Sequence, residues 1–240
     1  MRVATYATQN SRSQEQLTEL AFGMIRHLER FLGPFPTPEF NIVQVNDLGW
    51  GQAPLGTMLI TNEAFDRMLP AEYAHYYTEG INERFAHEIA HQWWGEAVRW
   101  PNPNERWLSE SFAEYCAGLM VKRAQGKGRY DNLKATWKWR GKEASRIAPI
   151  ALADRISYRD YPTYFEHRFG LLYAKGPWLL SRLHDEIGDE KFLSFLKSYQ
   201  KTLRGKCGST KLAQELLRVM TGKDYAPFFD ANFWGTGMPN

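Results

Sequence analysis

Residues 87–91 read HEIAH, and their types and spacing suit hydrolysis assisted by a metal ion. On an α-helix, residues four apart lie one above the other on a single face. His87 and His91 can therefore grip one ion from the same side. Glu88 stands about 100° around the helix from His87. It does not point at the shared ligand position, but it can reach a water held beside it, which is the place of a general base.

Two imidazoles are not yet a catalytic centre. The third ligand is Glu110, which follows His91 after 18 intervening residues (92–109) and lies within WLSESFAEY. The loop between is long enough to fold that helix back on the first. Two histidines, one carboxylate and an open position are what a catalytic zinc ion takes, one ion per chain. Glu114, one turn after Glu110, can accept the free N–H of a ligating histidine and fix its tautomer; an ordinary solvated carboxylate is an equal reading. Trp93, Trp94 and Trp107 read as core around the site. His75, His167 and His184 read as core or surface histidines, and Glu166 and Asp185 as surface charges.

Elements must hold these groups in place. RVATYAT at 2–8 alternates like a strand, and a helix begins near Ser11 or Ser13. Apolar residues recur at helical spacing from Leu17 to Phe31, and GPFPTP at 33–38 ends that helix. FNIVQV at 40–45 and TMLIT at 57–61 read as strands. The zinc helix is expected over 78–95, RWPNPNE at 99–105 as a loop, and a second strong helix runs from Trp107 to Gly126. Beyond Tyr130 only helices are expected, at 131–146, 170–187, 190–203, 209–221 and 225–233. Strands early and helices late make an α+β fold, a small N-terminal mixed sheet with a mainly helical second half.

Composition narrows the partners. The 240 residues carry a formal charge of only +3, too mild for a nucleic-acid binder. Lys134, Lys138, Lys142 and Arg146 read as a solvated helix face. Cys116 and Cys207, the two cysteines, form neither a CxxC pair nor a disulfide framework. No apolar run reaches 18 residues, and the N-terminus lacks the hydrophobic core of a signal peptide. The chain reads as soluble, without membrane contact, in an undetermined compartment.

HEIAHQWWGEAV followed at this spacing by WLSESFAEY resembles the gluzincin aminopeptidases, the family of aminopeptidase N and leukotriene A-four hydrolase. FLGPFPTPEFNIVQV, LLYAKGPWLL and FFDANFWGTGMP are similar to that family's flanking segments. The resemblance implies a thermolysin-like zinc metallopeptidase domain acting on peptides. It assigns Tyr173, in LYAKG, the role of oxyanion donor. It also implies flanking domains of a longer protein, with 1–10 the remnant of a linker. Residues 11–128 would form an α/β zinc-binding subdomain and 129–240 a helical subdomain of the same catalytic domain.

The family's GxMEN motif lies on the strand before a sequence like GLIT, and its glutamate binds the substrate's free α-amine. Anchoring on LIT at 59–61 sets that motif against Gln52, Ala53, Pro54, Leu55 and Gly56. The glutamate falls on Leu55, and the nearest carboxylate downstream is Glu63. A backbone needs no charge to pair with a peptide, so this segment still reads as the substrate strand. Three activities follow: release of N-terminal residues, peptide hydrolysis without strict aminopeptidase specificity, or peptide binding on a peptidase fold with weak activity.

Overall fold

The computed structural model describes residues 1–7, 11–65, 81–156 and 167–240. The architecture is α+β. Four strands make a mixed sheet: β1 (Arg2–Tyr6), β2 (Glu39–Val45), β3 (Gly51–Gln52) and β4 (Thr57–Thr61). Their order is β1-β2-β4-β3, with β1–β2 and β2–β4 parallel. β3 turns back antiparallel onto β4, pairing Gly51 with Ile60 and Gln52 with Leu59, and so forms a sheet edge. Residues 2–6, within the stretch read above as a linker, are the opposite edge of this sheet.

α1 (Ser11–Leu32) packs on the sheet through the stripe anticipated above; Leu17, Ala21, Met24, Ile25, Leu28 and Phe31 are all buried. It stops where Gly33 adopts φ +87° and donates its N–H to the Glu29 carbonyl, ahead of Pro34 and Pro36. On the sheet, Phe40, Ile42, Met58 and Ile60 join the same core.

α2 (Ile81–Ala90) and α3 (Trp107–Gln125) lie against one another in the middle of the molecule. In α3 every residue from Trp107 to Val121 is buried, so no face of its first four turns is solvated. That helix nevertheless carries Ser109, Glu110, Ser111 and Glu114. Charged groups survive such burial only when partnered, so four polar residues here mark a built site rather than a surface. α4 (Lys127–Ser145) crosses α3 where Gly118 admits the Trp137 ring; a β-carbon at Gly118 would lie 2.4 Å from it.

The remaining helices close the far side: α5 (Gly176–Ile187), α6 (Asp189–Leu203), α7 (Thr210–Thr221) and the short α8 (Ala226–Phe229). α7 starts on Ser209, whose hydroxyl accepts the Leu212 N–H, and ends at the left-handed Gly222. Among the described residues, no helix is long and apolar enough to cross a membrane.

Three expectations change. The zinc helix ends at Ala90 rather than 95, and its stretch at 78–80 lies outside the described residues. Past Ala90 the chain tightens into turns that bury Trp93 and Trp94 and swing through Gly95 at φ +112°. The helices expected at 170–187 and 225–233 each contain a π-helical turn, at Gly170–Lys175 and Asp230–Trp234. Periodicity cannot show a one-residue insertion in a turn. β3, two residues long, falls below any alternation signal.

Candidate active site

Two packed helices bring the three candidate metal ligands together. His91 follows the last residue of α2, yet its N–H still bonds the His87 carbonyl at 3.1 Å, so the two imidazoles keep their i, i+4 stacking. Their ring centroids are 4.6 Å apart. α3 delivers Glu110, whose Oε2 stands 3.7 Å from His87 Nε2 and 3.5 Å from His91 Nε2. Two donors at tetrahedral angles around zinc lie about 3.3 Å apart. One donor atom from each of the three residues falls within 4.8 Å of the others, so the set can hold one ion.

The surrounding bonds turn each ligand inward. His87 Nδ1 lies 3.0 Å from Glu114 Oε2, and His91 Nδ1 lies 2.9 Å from the Trp94 carbonyl. In the neutral imidazoles those acceptors favour the proton on Nδ1 and leave both Nε2 lone pairs facing the shared position. Ser109 adds its hydroxyl beside His91 Nδ1 and donates to the Trp94 carbonyl at 3.1 Å. Glu110 Oε1 accepts from Arg106 Nη2 at 3.1 Å, leaving Oε2 for the ligand position. Arg106 also reaches Asp154, which Arg168 holds at 2.8 Å. The donor set therefore fits zinc in type, spacing and tautomer.

Glu114 is fully buried rather than solvated, with Trp137 Nε1 donating to its other oxygen at 3.4 Å. Burial opposes ionisation of Glu110, but His91 and His87 outweigh it and hold the carboxyl well below the usual range. Burial by itself would lower the His87 pKa; Glu110 and Glu114 instead raise it to about 10.

Glu88 lines the same cleft, and burial is the main reason its carboxyl is pushed up. A base that must take a proton and give it back is served by that shift. Tyr173 comes from the π-helical turn. Its hydroxyl donates to Glu110 Oε2 at 2.6 Å, and its ring stacks on His87 at a centroid distance of 5.3 Å. Burial first, then Glu110, pushes the phenol well above its ordinary value, so it stays a proton donor.

The cleft is about 460 Å³. Gln52, Ala53 and Pro54 line it, together with Trp50 and Gly51. Leu55 and Gly56 are not among its walls: Leu55 is exposed, and Gly56 is buried with its N–H on Gln92 Oε1 at 2.7 Å. Gln92 Nε2 also contacts the carbonyls of Ala53, Pro54 and Thr57, each at 3.2 Å, so one buried amide holds the whole turn. Leu55 N–H donates to Glu96 Oε2 at 3.1 Å, and Glu96 lines the cleft.

Among the described residues, no other histidine joins the metal group. His184 bonds Tyr115 within the core, His167 is half-buried, and His75 lies outside the described residues, as does Glu166. Sequence reasoning missed Gln92, Glu96, Arg106, Ser109 and Ser111. Their only signal was position, flanking His91 and Glu110 on segments already suspected.

Comparison with known proteins accords with this geometry. A family model described as "Peptidase family M1 domain" matches residues 18–231. Aminopeptidase N of Streptomyces lividans is 32% identical over 146 residues, covering 58% of this chain and 16% of that protein. Human endoplasmic reticulum aminopeptidase 2 is 23% identical over 207 residues, covering 84% of this chain and 21% of that protein. Among solved structures, a substrate-bound M1 zinc metallopeptidase from Deinococcus radiodurans superposes with a TM-score of 0.71 at 22% identity. That match covers 100% of this chain and 48% of the other. Native yeast LTA4 hydrolase gives 0.75 at 16% identity, covering 99% and 38%. The chain thus spans about half or less of the length of each of these proteins.

Proposed function

The chain belongs to peptidase family M1, and on that premise we propose that it hydrolyses peptide bonds with zinc, releasing residues from peptide N-termini. The observation that carries this reading is the convergence of His87, His91 and Glu110 on one position, with Glu88 and Tyr173 in the same cleft.

Zinc held by those three ligands supplies Lewis acidity toward water and the scissile carbonyl. Glu88, with its raised pKa, takes the proton from the attacking water and passes it to the departing amine. Tyr173 keeps its proton and donates a hydrogen bond to the oxygen that gains charge as the carbonyl becomes tetrahedral. β3 is a sheet edge along the cleft, and its backbone pairs with an extended peptide as an added strand. Gln52, Ala53 and Pro54 form that wall.

Selection of a free N-terminus needs a carboxylate for the α-ammonium. Leu55 cannot supply it. Glu96 lines the cleft, is not one of the metal group, and is fixed by the Leu55 N–H. We assign the amine to Glu96. The position of Leu55 favours one second reading, a zinc peptidase without strict preference for free N-termini.

Zinc content, with hydrolysis of aminoacyl reporters and N-blocked peptides, tests both. The first reading expects free substrates to react and blocked ones to fail, with Glu96→Gln raising KM for the free substrates. Equal rates on both would leave the second reading standing. No hydrolysis by the zinc-loaded protein would remove both.

A further inference from the structure

The turn that carries Tyr173 interrupts regular helix. Gly170–Lys175 is π-helical and enters α5 at Gly176, whose N–H reaches back five residues to the Leu171 carbonyl. In that register the Leu172 carbonyl looks to residue 177 for its donor. Residue 177 is proline and has no N–H. Leu172 is buried, so water is not a ready substitute.

Ser111 fills the gap. Its Oγ donates to the Leu172 carbonyl at 2.6 Å, and the residue is fully buried. Ser111 directly follows Glu110, whose Oε2 meets the Tyr173 hydroxyl at the same 2.6 Å. Two consecutive residues of α3 thus hold two consecutive residues of the π turn, one by backbone and one by side chain. Gly176 is part of the device, because a β-carbon there would lie 1.9 Å from Ser111 Oγ. Only glycine lets the turn approach α3 this closely.

We propose that Ser111 is a positioning residue for Tyr173. It replaces the donor that Pro177 lacks and sets the height of the π turn against α3, so that the phenol reaches the metal group. The consequence for rate rests on the role given to Tyr173 above; the positioning itself does not.

The test uses three variants, Ser111→Ala, Pro177→Ala and the two combined. Ser111→Ala removes the hydroxyl, and Pro177→Ala restores an N–H at the place where Leu172 needs one. The tyrosine ζ-carbon resonance of the metal-free protein, assigned by its loss in Tyr173→Phe, reports the ring's surroundings. Zinc affinity, kcat and KM are measured alongside.

Ser111→Ala should shift the Tyr173 resonance and lower kcat roughly tenfold, with KM and zinc affinity within about threefold of wild type. Adding Pro177→Ala should return the resonance and most of kcat, which a purely structural role for the hydroxyl would not produce. An unmoved resonance in Ser111→Ala, or no recovery in the combined variant, overturns the proposal. A resonance that moves and recovers while kcat stays constant upholds the positioning and removes the role given to the phenol. If Ser111→Ala does not fold, Ser111→Cys, a weaker donor, replaces it with the same expectation at smaller amplitude.

Discussion

Gly51 presses its backbone against Glu88: a β-carbon added at Gly51 would stand 2.7 Å from Glu88 Oε1 and within 2.9 Å of its Cγ. The edge strand and the proposed general base therefore occupy one fitted volume, and the glycine is there for approach rather than for flexibility. Gly51→Ala can be accommodated only if the Glu88 side chain moves. The expected result is a fold kept intact, zinc content unchanged, and kcat reduced by roughly a hundredfold, since a 1 Å displacement of a reacting group costs about that much. Steady-state kinetics beside a zinc assay decide it.

Glu114 holds His87 Nδ1 from inside the core. Glu114→Gln leaves an acceptor oxygen but removes the charge; zinc affinity should fall about 10- to 100-fold, read by competition with a chromogenic chelator. Unchanged affinity would reduce Glu114 to a packing role.

Zinc uptake should depend on pH in a defined direction. His87 is raised to about 10 by Glu110 and Glu114 against the opposing effect of burial, so below that pH the metal-free site carries a proton that zinc must expel. Apparent affinity should rise as pH rises, by up to about tenfold per unit, and flatten near pH 10. Isothermal titration in buffers of different ionisation enthalpy counts the released proton directly.

Gln92 ties the turn at 53–57 to the segment that follows His91. Gln92→Leu keeps the volume and removes four contacts. It should raise KM several-fold for peptides that run along β3, while kcat for a one-residue reporter stays near wild type.

Much of this site was legible because its chemistry is local. HEIAH fixes its own geometry through helical spacing, and Glu110 follows from its spacing to His91. Glu114 reads equally well as a solvated carboxylate, and only the burial of α3 around its whole circumference decides that it is not one. Tyr173 was reached only through resemblance, since 63 positions and a π turn separate it from Glu110. The cleft wall at 52–54 was harder still. Gln52, Ala53 and Pro54 reach the cleft, but Leu55 turns away and Gly56 is drawn into Gln92, because a two-residue strand has no periodicity from which to read orientation. Glu96 reaches the Leu55 backbone across 41 positions, a contact that neither residue type suggests.

The account turns on Glu88 acting as a base at a zinc site it does not help to bind. Glu88→Gln keeps size and hydrogen bonding while removing the basic oxygen. The measurement is hydrolysis of an aminoacyl reporter by zinc-loaded wild type and variant at matched zinc content. The account predicts full zinc occupancy with the rate lowered by at least about 10²- to 10⁴-fold. A variant that keeps the wild-type rate at the same zinc content would contradict it.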